Sequence, residues 1–396
     1  MILLPICYIV IVVCIFLWIS KKQTLYIYSP FLLIYFSFIT NDIIPYLFSS
    51  VEIPVELSNV LYVSCCINLF FLFCYRKQLS RQVVFEIPKS WRRFANKRRI
   101  ILFVFFCMIL LAGYLSGVTA NLLCGNNIES LRRESEIGLG VIRTIPTLGI
   151  QILFLVIFLN KGIEKYKKTL FCSFLIGLCM FITTGNKSGF QIGVFLFLVF
   201  FHAKYRGFRW YEYCLFYMAI PIGAGILQGI RRGGGVDEIL AQILMFLVYP
   251  TIIFDINTVP IINAVLKRGF FGGQEYWESF TTLIPRFLWP EKPISFDYKL
   301  KELVGYDFEG GGIYTTLSNN LLINLGQYWI VGYILYLFVI HHLYGLMLKS
   351  RISCYYKLAV IFLITSGSLS SLIKMVQYEF ILLLFLVLFY RRRKTL

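Results

Sequence analysis

Charge is scarce in this sequence. Lys, Arg, Asp and Glu together make up 15% of the 396 residues, while hydrophobic residues make up 58%. Mean hydropathy is +0.75. A soluble domain of this length does not carry that balance. Apolar runs long enough to cross a bilayer, about 20 residues each, recur along the chain. They are continuous and do not alternate in period two, which speaks against a transmembrane β-barrel. The first run, Met1 to Ile19, lacks a basic start and a small-residue cleavage site. It is expected to stay as a helix and not to be removed as a signal peptide.

Histidine is also nearly missing: His202, His341 and His342 are the whole set. No CxxC spacing occurs, and most of the 11 cysteines (Cys7, Cys14, Cys65, Cys66, Cys74, Cys107, Cys172, Cys179 and Cys214 among them) lie within apolar runs. There they act as small hydrophobes. Cys124 alone falls in an expected outer loop. Neither a disulfide, a metal site nor any other cofactor is expected. A Walker A loop and a Ser-His-Asp set are absent too. No internal repeat or low-complexity tract is visible, so a two-halved transporter gains no support.

What is plentiful is positive charge in particular places. The net charge is +18. Between residues 76 and 99, nine basic residues stand against Glu86 alone. Smaller clusters are Lys21-Lys22, Lys161 to Lys168, Lys204 to Arg209, Lys349 to Lys357 and Arg391 to Lys394. Each borders an apolar run, the positive-inside pattern of cytoplasmic loops. Anionic lipid headgroups account for the charge, and no nucleic-acid partner is expected.

Holding those clusters inside gives an all-α integral membrane protein with about eleven spans, ten to twelve being the range. The spans fall near 2–20, 25–48, 57–75, 100–117, 145–160, 169–185, 188–203, 211–230, 321–347, 356–373 and 377–390. Three regions follow: an N-terminal bundle of about eight helices over 1–230, an extracytoplasmic loop region over 231–320, and C-terminal helices with a basic cytoplasmic tail over 321–396. The forward and backward counts both put the ends of 231–320 outside. Residues 239–264 are apolar enough to cross, but Pro250, Asp255, Asn257 and Pro260 interrupt them. A re-entrant or interfacial helix is the preferred reading, with a twelfth span as the alternative.

The outer region has a different character from the inner loops. Eight basic residues face ten acidic ones between 231 and 320. Leu283 to Pro293 reads "LIPRFLWPEKP". Pro285, Pro290 and Pro293 each fix φ and lack an N–H, so the stretch is stiff and turned. It presents Arg286 and Lys292, with Trp289 suited to the headgroup level. Arginine takes a phosphate or diphosphate by paired hydrogen bonds. A structural turn with Arg286 paired to a carboxylate is the equal alternative. "GILQGIRRGGGVDE" places Arg231 and Arg232 at a span end expected outside, where basic residues are disfavoured. Gly233 to Gly235 then allow close backbone approach to an anion. The plainer reading is two snorkelling arginines and a linker. "TTGNKSGFQIG" puts Lys187 at a tight turn, either lining an outward cavity or simply solvated. In the loop 118–144, Arg143 stands nearest the apolar run. With the histidines expected near the inner face, an outer proton acceptor must be a carboxylate. Asp255, Glu275, Glu278, Asp307 and Glu309 compete for that role.

Taken together, the many spans, the late outer loop, "GIRRGG", "IPRFLWPEKP" and "TGNKSG" resemble the oligosaccharide repeat-unit polymerases, the Wzy-type O-antigen and capsule polymerases. The "IPR…WP.KP" string is the most specific part. Lys187 departs from the pattern, since arginine is expected there in many relatives. The resemblance implies a GT-C-like glycosyltransferase in the cell inner (cytoplasmic) membrane. It would move a growing glycan from one polyprenyl diphosphate carrier onto another lipid-linked repeat unit, with no nucleotide sugar or metal. Polyprenyl-diphosphate-linked oligosaccharide and membrane lipid are the partners implied, with a chain-length regulator and flippase of the same pathway. Arg231, Arg232 and Arg286 are the candidates for stabilising the leaving diphosphate, with Arg143, Lys187, Lys292 and Trp289 in binding. Asp255, Glu275 or Asp307 would serve the attacking hydroxyl. A flippase or transporter of the same lipid-linked oligosaccharide is the alternative, as is an O-antigen ligase-like enzyme.

Overall fold

The computed structural model describes residues 2–21, 31–79, 81, 118–127, 209–233, 235–281, 284, 289, 291, 296–306 and 315–349. Every regular element among these residues is helical. In chain order they are α1 (Leu3–Lys21), two π-helical segments (Phe31–Phe36 and Ile39–Ile43) running into α2 (Ile44–Phe48), α3 (Val55–Leu79), α4 (Val118–Leu123), α5 (Trp210–Arg231) and α6 (Val236–Ile253). A third π segment (Phe254–Thr258) leads into α7 (Val259–Arg268), followed by α8 (Gln274–Thr281), α9 (Phe296–Val304), α10 (Leu317–Leu325), a 3-10 turn (Gly326–Tyr328) and α11 (Trp329–Met347).

Three helical runs among the described residues are long and apolar enough to cross a membrane: Val55–Leu79, Val236–Arg268 and Leu317–Met347. The shortest has 25 residues, about 38 Å of helix against a hydrocarbon core of about 30 Å. The chain is therefore a helical membrane protein. The expected spans at 2–20, 57–75, 211–230 and 321–347 correspond to helices, and part of 25–48 is helical with π-turns. The spans expected at 100–117, 145–160, 169–185, 188–203, 356–373 and 377–390 lie outside the described residues.

Residues 239–264 form part of the single helical run Val236–Arg268, 33 residues long with hydropathy 2.0. Its prolines do not stop it. Pro260 lacks the N–H that would reach the Ile256 carbonyl one turn back, and that carbonyl accepts from the Tyr306 hydroxyl instead. Pro250 lies inside α6, four residues before the π segment begins. Length and composition suffice for a crossing.

The chain divides into two compact units that interleave in sequence. One comprises Met1–Val83, Phe208–Trp210 and Val248–Ile381; the other Val84–Gly207, Tyr211–Leu247 and Leu382–Leu396.

In the first unit α3 is the central packing element, touching α1, α10 and α11. Glu56 in its first turn and Arg76 and Lys77 in its last suit the helix dipole. Its buried positions Leu57, Val60, Leu61, Ser64, Cys65, Asn68, Phe71 and Leu72 recur at helical spacing on one face. Helix α11 buries Tyr333, Leu337, Ile340, His341 and Tyr344 on one face while Val331, Leu335 and Phe338 stay exposed on the other. Apolar residues all round are what lipid on one side and protein on the other require. Polar bonds fix the packing register: the Tyr333 hydroxyl donates to Asn68 Oδ1 at 3.0 Å, and Tyr35 meets His341 Nε2 at 2.8 Å. His341 Nδ1 lies 2.7 Å from the Leu337 carbonyl, so this histidine is a satisfied core residue.

In the second unit α5 meets α6 through glycines. A Cβ at Gly225 would lie 2.6 Å from the backbone of Ile243, and one at Gly229 would lie 2.8 Å from that of Ile239. Small residues let two helix backbones approach in this way.

Candidate functional site

The site is built on a helix that is polar where it should be greasy. Helix α10 reads "LSNNLLINL", and Ser318, Asn319, Asn320 and Asn324 are all buried. Buried amides need partners, and the partners come from the segment before it in sequence. The chain leaving α7 runs along the end of α10. The Phe271 N–H donates to the Ile323 carbonyl at 3.1 Å and the Gly273 N–H to the Asn324 carbonyl at 2.8 Å. Those carbonyls lie in the last turn of α10, which has no intrahelical donors for them. Gly272 and Gly273, at φ 63° and 81°, turn the chain straight into α8. At Gly326 a Cβ would meet the Phe270 ring at 2.6 Å, so glycine there admits the same loop.

Docked this way, α8 lays Glu275 against α10. Glu275 Oε2 accepts from Asn320 Nδ2 at 2.6 Å and from Asn324 Nδ2 at 2.8 Å. Asn324 Nδ2 also donates to the Asn320 carbonyl at 3.0 Å. The Tyr276 hydroxyl donates to Asn320 Oδ1 at 3.3 Å. Burial first, then the Glu275 charge, push the Tyr276 hydroxyl above its usual range, so it stays a donor. Glu275 itself is 8% exposed.

One turn on, Glu278 forms an ion pair with Lys299 of α9. The Phe271 and Phe296 rings pack edge to face at 4.9 Å and seat α9 beside the loop. Lys301 is also buried, with its ammonium 5.2 Å from the centroid of the Tyr298 ring. Two carboxylates, Lys299 and three amide or phenol groups thus share one polar layer.

A second polar layer lies at the other end of α10. Asp42, in the second π segment, accepts from Thr316 Oγ1 at 2.6 Å and Ser318 Oγ at 3.2 Å. The carboxylate also faces the start of α10, where the helix dipole favours it.

The candidates from the sequence separate. Glu275 lies at the centre of the cluster. Asp255 does not: its carboxylate accepts from Ser49 Oγ at 2.6 Å, from the Ser50 N–H at 3.0 Å and from Ser50 Oγ at 2.7 Å. With three donors from one turn, Asp255 reads as a tie between the α2–α3 loop and the third π segment. Arg232 is exposed and pairs with Glu238 at 3.3 Å. Arg231 is buried at the end of α5. The glycine after this pair approaches backbone: at Gly233, φ 68°, a Cβ would lie 2.2 Å from the Gly125 carbonyl oxygen. Its neighbour is the chain itself. Trp289 is half-buried. Arg286, Lys292, Asp307, Arg143 and Lys187 lie outside the described residues. Asn320, Asn324 and Asp42 were not among the candidates. The doublet and spacing of "SNN…N" next to an apolar run was the signal available. Among the described residues, no cluster of His, Cys, Asp and Glu could hold a metal.

Comparison of the chain with protein-family models, with curated proteins and with solved structures finds no match.

Proposed function

We propose that the chain is an integral membrane glycosyltransferase with a GT-C-like architecture. It polymerises polyprenyl-diphosphate-linked oligosaccharide repeat units at the outer face of the cytoplasmic membrane, in the making of a surface polysaccharide. The observation that carries this reading is the buried Glu275, held by the Asn320 and Asn324 amides one turn before the Glu278–Lys299 ion pair. Moving a glycan from a diphosphate to a hydroxyl needs little else. Negative charge grows on the departing diphosphate, and fixed cations stabilise it. The attacking hydroxyl needs an acceptor for its proton.

The motif-bearing segment "LIPRFLWPEKP" connects α8 to α9. Both helices are anchored in the polar cluster, through Glu275 and through the Glu278–Lys299 pair. Arg286 is five residues past the end of α8, a reach of at most about 17 Å. Arg286 is our first candidate for the diphosphate, with Lys292 and Trp289 beside it in sequence. Arg143 and Lys187 are kept as further binding candidates, joined by Arg231 and Arg232 only if the run Val236–Arg268 does not cross the membrane, and Asp307 is kept as a second carboxylate. The topology has its own support. Counting from the N-terminus puts the α2–α3 loop outside, and counting from the C-terminus puts the start of α10 outside. Asp42, near the first, bonds Thr316, at the second.

The test uses purified protein in lipid nanodiscs with lipid-linked repeat units extracted from cells lacking the gene, and no nucleotide sugar. The expected product is a series of lipid-linked oligomers two, three and more repeats long. Wild-type protein that leaves every unit single, but moves those units across a liposome bilayer, would replace the polymerase by a flippase. Arg286→Ala is expected to lower the polymerisation rate at least about 100-fold, the loss typical of a transition-state charge contact.

A further inference from the structure

Two carboxylates on α8 are treated differently by the fold. Glu278 pairs with a cation, Lys299. Glu275, one turn before it, is held by two neutral amides, and both fall on a single oxygen, Oε2. No described residue donates to Oε1. A carboxylate that only had to be neutralised would be served by a cation as Glu278 is. Two amides orient the group and leave its charge in place.

Chemistry alone fixes which way these amides face. Asn324 Nδ2 lies against the Asn320 carbonyl and the Glu275 carboxylate, both acceptors, so the opposite flip would set oxygen against oxygen. The consequence is visible at the other end of the side chain. Asn324 is 0% exposed, and its Oδ1 has no hydrogen-bond partner among the described residues. An unbonded buried carbonyl is costly. The fold accepts that cost in order to aim Nδ2 at Glu275. Asn320 is fixed from its far side as well, by the Tyr276 hydroxyl on Oδ1.

We propose that Asn320 and Asn324 are positioning residues that hold Glu275 as the acceptor of the proton from the attacking sugar hydroxyl. This rests on the polymerase reading above. In the step, the hydroxyl oxygen of the acceptor repeat unit bonds to the anomeric carbon of the donor glycan. Its proton passes to Glu275. The bond from that carbon to the diphosphate oxygen breaks, and the electron pair leaves with the polyprenyl diphosphate. Glu275 then returns the proton to water. The substrate class at this site is therefore a glycan hydroxyl, and the diphosphate is the business of the loop cations.

The experiment uses the full chain in nanodiscs with the extracted lipid-linked repeat unit, and compares each variant with wild type in rate and in its single peak on size exclusion. Glu275→Gln, which keeps the shape, is expected to lose at least about 100-fold in kcat. Asn320→Ala and Asn324→Ala are each expected to lose about tenfold in kcat with KM within about twofold, the size of effect seen for groups that orient a reacting one. Glu275→Ala should regain activity with added formate, at least about tenfold above its residual rate. The double variant Glu275→Ala/Asn324→Ala should lose that rescue, because formate then lacks its amide cradle. A purely structural role gives no formate rescue. Should Glu275→Ala fail to fold, Glu275→Asp takes its place: the retracted carboxylate is expected to lower kcat at least about tenfold at unchanged KM. Glu275→Gln within threefold of wild type, a folded Glu275→Ala unmoved by formate, or wild-type kcat in Glu275→Asp would each overturn the assignment while leaving the polymerase reading intact. Wild-type protein that makes no oligomer would remove the polymerase reading, and this assignment with it.

Discussion

Replacing Asp42 by Ala leaves two buried hydroxyls, those of Thr316 and Ser318, without the acceptor they share. Losing a buried acceptor of this kind costs about 1–3 kcal/mol. Asp42→Ala is expected to melt measurably below wild type in detergent, while Asp42→Asn, whose carbonyl still accepts, should fall between them. Equal melting of all three would show that these bonds do not hold α10. Gly233 makes a similar claim about the backbone. Its φ of 68° and the 2.2 Å approach of a Cβ to Gly125 leave no room for Ala, so Gly233→Ala is expected to lower the yield of folded protein at least several-fold. A wild-type yield would count against that contact. At this scale the sequence was partly legible. Glu275 could be named from its place in the outer region. Asp255 could be named by the same reasoning, yet it is spoken for by serines 206 and 205 positions away. Nothing local separates the two carboxylates. Only the fold decides which one meets amides and which one meets a serine turn.

Among the elements, helix positions were easier to read than helix roles. α1, α3, α5 and α11 lie where long apolar runs put them, because burial in lipid needs length and greasiness and little else. The span expected at 321–347 opens inside α10. That helix begins at Leu317 and ends at Gly326, where φ is 56° and the next helix takes over. Hydropathy alone passes over its asparagines. They are the amides that receive α8. The run Val236–Arg268 bears most directly on the topology. Its 33 residues amount to about 50 Å of helix, well beyond the bilayer core. We expect it to cross, with residues 269–320 held outside by the C-terminal count. Arg231 and Arg232 would then lie inside, as the positive-inside rule prefers, and α5, with Lys204 to Arg209 before it in sequence, would have the reverse orientation. The test is one cysteine at position 235 in a protein freed of its own cysteines. It should react with a membrane-impermeant maleimide only after permeabilisation. Reaction in intact cells would restore the re-entrant or interfacial helix and the outer arginine pair.

In the first unit, apolar helices pack around a small polar layer. Leu240, Leu244, Val331 and Leu335, all more than half exposed, are the kind of side chains a lipid-facing surface carries. The polar groups are drawn inward around α10, where amides and hydroxyls satisfy carboxylates one by one. Membrane character was plain from composition, because hydropathy reports it directly. The chemistry was less plain, because short proline and glycine motifs say what a loop can hold and not what stands beside it. The central claim is that this chain lengthens a lipid-linked glycan. The most direct measurement is the length distribution of surface polysaccharide from cells with the gene, without it, and with it restored. The account predicts a ladder, its collapse to a single repeat unit, and its return. An unchanged ladder without the gene, or lipid-linked units trapped on the inner leaflet, would contradict it.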